Sequence, residues 1–265
     1  MRRTQPLGKK VLLPVVLLLA MPACRSTTGP TGRLTVNFQL ASSSAAPAVV
    51  ASPNISATVA AASLTGPIDV TGTNGTLTLE DVRLVVDEFK LEREEGACED
   101  GTAEDSCERF EALPHFLTVP LEEGTTSAFS EDVPPGTYVQ LKFEVKEEPT
   151  LLGQIQEEFP NWPAEASVLV SGSFASAEDG DPVPFLVYFA SGEVKVQFGF
   201  DPPLVIAETD AEQSVTVLVD PALWFANADG TVLDLSQFDF YQTGQLLKLE
   251  VKRFGDVFTK IEIGG

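Results

Sequence analysis

The chain has 265 residues, with 39 acidic side chains against 17 basic ones, a single histidine and a net charge of −22. A surface this acidic repels nucleic acid and anionic lipid, so no nucleic-acid partner is expected; solvent, cations or a basic partner suit it better. One histidine leaves little room for chemistry that needs an imidazole base beside a nucleophile.

The first element is an export signal. Arg2, Arg3, Lys9 and Lys10 precede a thirteen-residue apolar run at 11–23. That run is shorter than the roughly 20 residues a membrane-spanning helix needs, and Pro14 and Pro22 interrupt it. It ends at Met21-Pro22-Ala23-Cys24, which resembles the lipobox of bacterial lipoproteins. The resemblance implies cleavage before Cys24, lipidation of that cysteine and a membrane anchor in the bacterial cell envelope. Arg25 follows where an Asp would favour the inner membrane, so the outer membrane is expected. Residues 1–23 are then the signal peptide and 24–31 a short polar tether. Removal of the signal leaves 13 bases against 39 acids, a net charge of −26.

Cys98 and Cys107 remain, with eight residues between them, and an exported pair is expected to form a disulfide. Closing so short a loop contributes roughly 2–3 kcal/mol. The intervening stretch is strongly acidic. Glu94, Glu95, Glu99, Asp100, Glu104, Asp105 and Glu108 surround the pair, and Glu99, Asp100, Glu104 and Asp105 are the candidate calcium ligands. The competing reading of these carboxylates is a solvated acidic hairpin.

From residue 32 the pattern is β. Leu34, Val36, Phe38 and Leu40 alternate with polar residues. Residues 41–53, rich in Ala, Ser and Pro, read as a loop, and 55–62 as a second strand. A long β stretch covers 76–91, with its apolar parity changing near Glu80–Asp81 and again near Asp87–Glu88, where a bulge or a turn is expected. Residues 109–121 read as one strand. Pro134-Pro135-Gly136 is a turn, followed by a strand with Val139, Leu141, Phe143 and Val145 on one face. Leu151, Ile155 and Phe159 predict the one clear helix, at 150–159, ended by Pro160. Strands resume with Val168 and Val170, with Val194 to Phe200 in alternation, with Val215, Val217 and Val219, and with Leu247, Leu249 and Val251. About twelve short strands with at most one or two short helices predict an all-β, antiparallel β-sandwich, prealbumin-like or Ig-like. Residues 32–147 form one sandwich domain, and 148–265 form either a second β-rich domain or a continuation of the same sandwich.

Residues 75–145 resemble an uncharacterised family of bacterial and archaeal lipoproteins known as a domain of unknown function. The long strand at 76–92, Phe116-Leu117 and above all Val133-Pro134-Pro135-Gly136-Thr137-Tyr138 carry the likeness. The last piece is also similar to the P-x-G-x-Y turn of prealbumin-like and carboxypeptidase-regulatory-like sandwiches, where the tyrosine packs at the sandwich edge. The segment at 220–230 resembles a second element of such lipoproteins. The resemblance implies a β-sandwich and an envelope location, with no activity attached.

Few residues point to chemistry. His115 lies in an apolar run and no G-x-S-x-G elbow is present, so a strand histidine is the expected role. Asn227, Asp229 and Asp234 partly match a calcium loop, but Phe225 and Ser236 stand where the first and last ligands belong, so an Asp-Gly turn is favoured. Trp162 and Trp224-Phe225 are candidate platforms for stacking a sugar or a peptide; core packing is the favoured role of both tryptophans, and Trp162, flanked by prolines, is the better surface candidate. Asn54 and Asn74 head glycosylation sequons that a bacterial export signal makes irrelevant. The composite expectation is a lipid-anchored envelope protein with a binding or structural ectodomain, no catalysis, no required cofactor, and an envelope protein or polysaccharide as partner. Two alternatives compete: a periplasmic accessory lipoprotein of an assembly or transport complex, and a carboxylate-based hydrolase. The second needs a pair of acids flanking the scissile bond, and 39 acids single out no pair.

Overall fold

The computed structural model describes residues 31–41, 66–94, 109–121, 124–146, 149–178, 180–190, 192–208, 212–240, 246–249 and 254–264. Cys24, Cys98, Cys107, the candidate calcium ligands Glu99, Asp100, Glu104 and Asp105, and the strand expected at 55–62 lie outside the described residues.

Among the described residues the alternating segments fold into fourteen strands: β1 (Gly32–Leu40), β2 (Ile68–Gly72), β3 (Gly75–Val86), β4 (Glu88–Arg93), β5 (Arg109–Ala112), β6 (His115–Thr118), β7 (Thr125–Val133), β8 (Gly136–Lys146), β9 (Val168–Ser176), β10 (Pro182–Phe189), β11 (Glu193–Ile206), β12 (Glu212–Val219), β13 (Leu247–Leu249) and β14 (Phe258–Gly264). The α-helix α1 (Leu152–Glu158) falls where its four-residue apolar spacing predicts. The all-β sandwich architecture is therefore as expected, and three sheets build it. Sheet A runs β14-β12-β1-β7, sheet B runs β13-β10-β9-β3-β2 with β6 also on β3, and sheet C runs β11-β8-β4-β5. Most neighbours are antiparallel; β1–β12 and β10–β13 are parallel. Strands from both sides of position 148 share every sheet.

The core follows from the alternation. Leu34, Val36, Phe38 and Leu40 of β1 are all buried, beside Val215, Val217 and Val219 of β12. Phe38 then reaches Phe89 and Phe143 of sheet C edge-on, at ring separations of 6.3 and 6.0 Å. Each such side chain contributes about 1.5–3 kcal/mol by leaving water, and each edge-on ring pair a further ~1 kcal/mol. A second aromatic group, Phe185, Phe189, Trp224, Phe225 and Phe254, joins this one through Phe254 and Phe258, 6.3 Å apart. One hydrophobic cluster thus touches all three sheets.

The parity changes in the long β stretch have distinct structural outcomes. Between Leu79 and Asp81 the β3–β9 register shifts, leaving Glu80 as a bulge. At Asp87 the chain leaves sheet B and continues into sheet C as β4. Two strand assignments are corrected. The strand expected over 109–121 is two, β5 in sheet C and β6 in sheet B, because Pro114 cannot donate to a ladder and breaks the run. In β8 the buried set is Tyr138, Leu141, Phe143 and Val145, not one beginning at Val139. The β4–β8 register shifts between Glu92 and Arg93, which pair with Gln140 and Tyr138, so Val139 of β8 is skipped where the phase changes.

Candidate functional site

Strand β10 is apolar on both faces, and β9 adds Leu169 to its outer face, where Ser171, Ser173 and Ala175 follow. Val168, Val170, Phe185, Val187 and Phe189 enter the core, while Leu169, Leu186 and Tyr188 face the other way. Helix α1 and the loop after it cover part of that outer face. Ile155, Trp162, Ala166 and Val85 make a second buried cluster there, with Phe116, Phe159, Leu169 and Tyr188 packed around it. The loop is held from several sides. Trp162 Nε1 donates to the Ala166 carbonyl (3.1 Å), Gln156 Nε2 donates to the Trp162 carbonyl (2.9 Å), and Phe116 meets the indole edge-on at 5.3 Å. The Arg83 guanidinium lies 4.1 Å from the Phe159 ring centre and is held by Asp81.

Beside this cover lies a groove of about 740 Å³. Phe159, Pro160, Asn161, Trp162 and Pro163 line one part, Leu169, Leu186 and Tyr188 of the sheet another, and Phe240 and Leu246 a third. Glu158 is also at its margin. A charged bridge marks the rim. The Tyr188 hydroxyl donates to Glu165 Oε1 (2.6 Å), and Lys248 Nζ sits 3.2 Å from Glu165 Oε2. Tyr188 and Lys248 are cross-strand partners, which is why one carboxylate can serve both. The tyrosine hydroxyl and the Lys248 ammonium hold the Glu165 carboxyl below its ordinary range.

Trp162 takes the favoured core-packing role and not the surface one. Its side chain is 2% exposed, so the indole is a wall of the groove rather than a stacking platform on the surface. A flanking pair of prolines suggested exposure. The capping of the indole by Phe116, and of its N–H by Ala166, depends on contacts no local pattern reveals.

The other singled-out residues are elsewhere and serve structure. Asp229 Oδ1 accepts from the Thr231 N–H and hydroxyl, Asp234 Oδ1 accepts from the Ser236 N–H and hydroxyl, and Asn227 Nδ2 donates to Thr231. These are side-chain turns, with Gly230 at φ +82° supplying the left-handed residue. Among the described residues no three His, Cys, Asp or Glu side chains gather in a metal-holding group. His115 on β6 stacks on Phe129 at 5.0 Å and contacts Phe89, and its buried Nε2 has no hydrogen-bond partner among the described residues. Burial holds the imidazole below its ordinary value, with Glu131 pulling the other way. Tyr138, the tyrosine of the P-x-G-x-Y turn, is 1% exposed; its hydroxyl donates to the Pro134 carbonyl (2.7 Å) and its ring stacks under Arg93.

A second depression, on the outer face of sheet C, is a lattice of ion pairs. Lys142 meets Glu92 at 2.6 Å, Lys90 meets Glu88 at 2.9 Å, Arg109 meets Glu111 at 3.0 Å, and Lys195 spans Glu193 and Glu144. Pairs this exposed each contribute at most ~1 kcal/mol. Within and across the strands these five carboxylates and four cations offset most of one another's charge.

No family model matches the chain, and no curated protein matches it. Among solved structures, MbnP from Methylosinus trichosporium is similar over 71% of this chain and 75% of that one, at 16% identity and a TM-score of 0.34. A likeness that loose carries no argument about fold or site. The class defined by the chain itself is an all-β sandwich with an aromatic groove on the outer face of one sheet.

Proposed function

We propose that this is a lipid-anchored protein of the bacterial cell envelope whose sandwich ectodomain binds rather than catalyses, with the groove beside Trp162 as its ligand site. The groove is the observation that carries the reading. Its volume falls within the range of small-molecule sites, and its lining is mostly aromatic, aliphatic and proline side chains with a few polar groups at the margin. The Tyr188 hydroxyl and Glu165 are already committed to each other. That supply of polar groups suits a ring-bearing apolar group better than a sugar, whose many hydroxyls need partners. The lipobox at Cys24 supports the anchor.

The test is a titration of the purified protein with the neutral fluorescent probe phenylnaphthylamine. Saturable binding at one site, with quenching of tryptophan emission as the probe approaches Trp162, supports the reading. Binding that never saturates, or that leaves tryptophan emission unchanged, overturns it.

A further inference from the structure

Sheet A ends on β14, which among the described residues pairs only with β12. A register shift between Leu218 and Val219 bulges the strand at Thr259. Phe258, Ile261 and Ile263 thereby all face the core side, opposite Val219, Val217 and Val215, while Lys260 and Glu262 face outward. At the far end of β14 that core side is not covered. Ile263 is 39% exposed, and with Ile261 it borders an apolar cleft of about 530 Å³ lined also by Phe200, Pro203, Leu204 and Val205, the last 60% exposed.

An open sheet edge is a template for another strand. Proteins blunt such edges with charged side chains, proline or bulges; β14 has its bulge at Thr259 and carries Lys260 and Glu262 beyond it, so the edge suits only a partner strand that pairs both charges. The two charges have opposite sign and flank Ile261 symmetrically. Antiparallel pairing places residues of the same face opposite each other, so only alternate registers are allowed. Centred on Ile261, the pairing sets Lys260 against the second copy's Glu262 twice, and Ile261 against Ile261. Centred on Lys260 or on Glu262, it sets like charges face to face. The sequence of the strand is thus complementary to itself in one register and discriminates against its neighbours.

We propose that β14 is a homodimerisation edge. Two copies pair antiparallel about a two-fold axis at Ile261, joining two four-stranded sheets into one of eight strands, with the apolar clefts closed by the partner's isoleucines. This isologous contact uses the same patch on both molecules. It is independent of the groove beside Trp162.

Charge exchange tests it on the full-length protein in density-matched detergent, by sedimentation equilibrium. Among the described residues Lys260 and Glu262 are exposed and paired only with each other across 2.9 Å, so exchanging them does not disturb the core. The native chain is expected to dimerise. Lys260→Glu and Glu262→Lys each place two like-charge pairs in the contact and are expected to weaken the dimer about tenfold or more. Mixing the two single variants, or combining both changes in one chain, restores every pair and the dimer with it. A native chain that stays monomeric at its highest soluble concentration overturns the proposal. So does a dimer indifferent to the single changes, or one not restored by the mixture.

Discussion

Several side chains join segments far apart in sequence, and Asn74 is the clearest. It sits in the two-residue turn between β2 and β3, where its Nδ2 donates to the Val232 carbonyl and its Oδ1 accepts from the Val232 N–H, each at 2.9 Å. The side-chain amide imitates a strand partner for a loop 158 residues away. Asn74→Ala leaves both Val232 groups unpaired and is expected to cost about 1–3 kcal/mol, read as a lowered urea midpoint. An unchanged midpoint would show that the clamp carries no weight. The sequon pattern drew attention to this residue for the wrong reason, since its true partner is remote.

Two titrating groups give the stability a pH dependence of defined sign. Burial pushes the Asp87 carboxyl up, but hydrogen bonds from the Thr150 N–H and Lys146 outweigh that and hold it below the ordinary value. A carboxyl depressed in the folded state supplies stability in full above its unfolded pKa of about 4 and loses it as the pH falls through the lowered value. His115 is also depressed, by burial, so its contribution is complete above the unfolded imidazole value of about 6.5 and declines on acidification from there. The urea midpoint is therefore expected to fall in two stages. His115→Phe, which keeps the stack on Phe129, flattens the stage that begins near neutrality. Asp87→Asn flattens the stage at more acidic pH. Midpoints that track the native curve in both variants would exclude these two groups as the source.

At the scale of the element, alternation located most strands, because a half-buried strand repeats every two residues whatever its partner. It failed where a local event changes the phase: the proline break that separates β5 from β6, and the shift that puts Tyr138 inside. The bulge at Glu80 was legible because the apolar parity reverses there. The close approach beside it was not. Gly172 of β9 faces Leu79 of β3, and a Cβ there would collide with the Thr78 carbonyl and come within 2.9 Å of the Phe185 ring. Gly172→Ala is expected to force β9 and β3 apart and cost about 1–3 kcal/mol in urea unfolding, with a larger loss for Val. Full retention of stability would mean that the bulge can absorb a methyl group. The groove had a faint signal too. The run Phe185-Leu186-Val187-Tyr188-Phe189 is apolar at consecutive positions, which marks a strand covered on both faces. What lies over its outer face, the loop at 159–166 with Phe240 and Leu246, comes from three distant stretches and is not readable locally.

For the whole molecule, sequence pattern indicated the fold class and left the topology open. The parallel pairing of β1 with β12 joins residues nearly 180 apart, and nothing in either strand names the other. Position 148, where the sequence leaves open a second domain or a continuation of the same sandwich, separates neighbours in the chain that return to the same sheets. The envelope assignment rests on the N-terminal segment. Cys24→Ala is expected to shift the protein from the membrane fraction to the soluble extract on cell fractionation; full retention in membranes would contradict lipid anchoring. Among the described residues no helix is long and apolar enough to cross a membrane.

The central claim is that the outer face of sheet B holds a binding groove. Leu186→Glu tests it most directly, because this half-buried side chain lines the groove and points away from the core. The account predicts that the variant keeps the circular dichroism of the native protein and loses saturable phenylnaphthylamine binding, its apparent Kd rising at least about tenfold. Native-strength binding by a folded Leu186→Glu protein would contradict it.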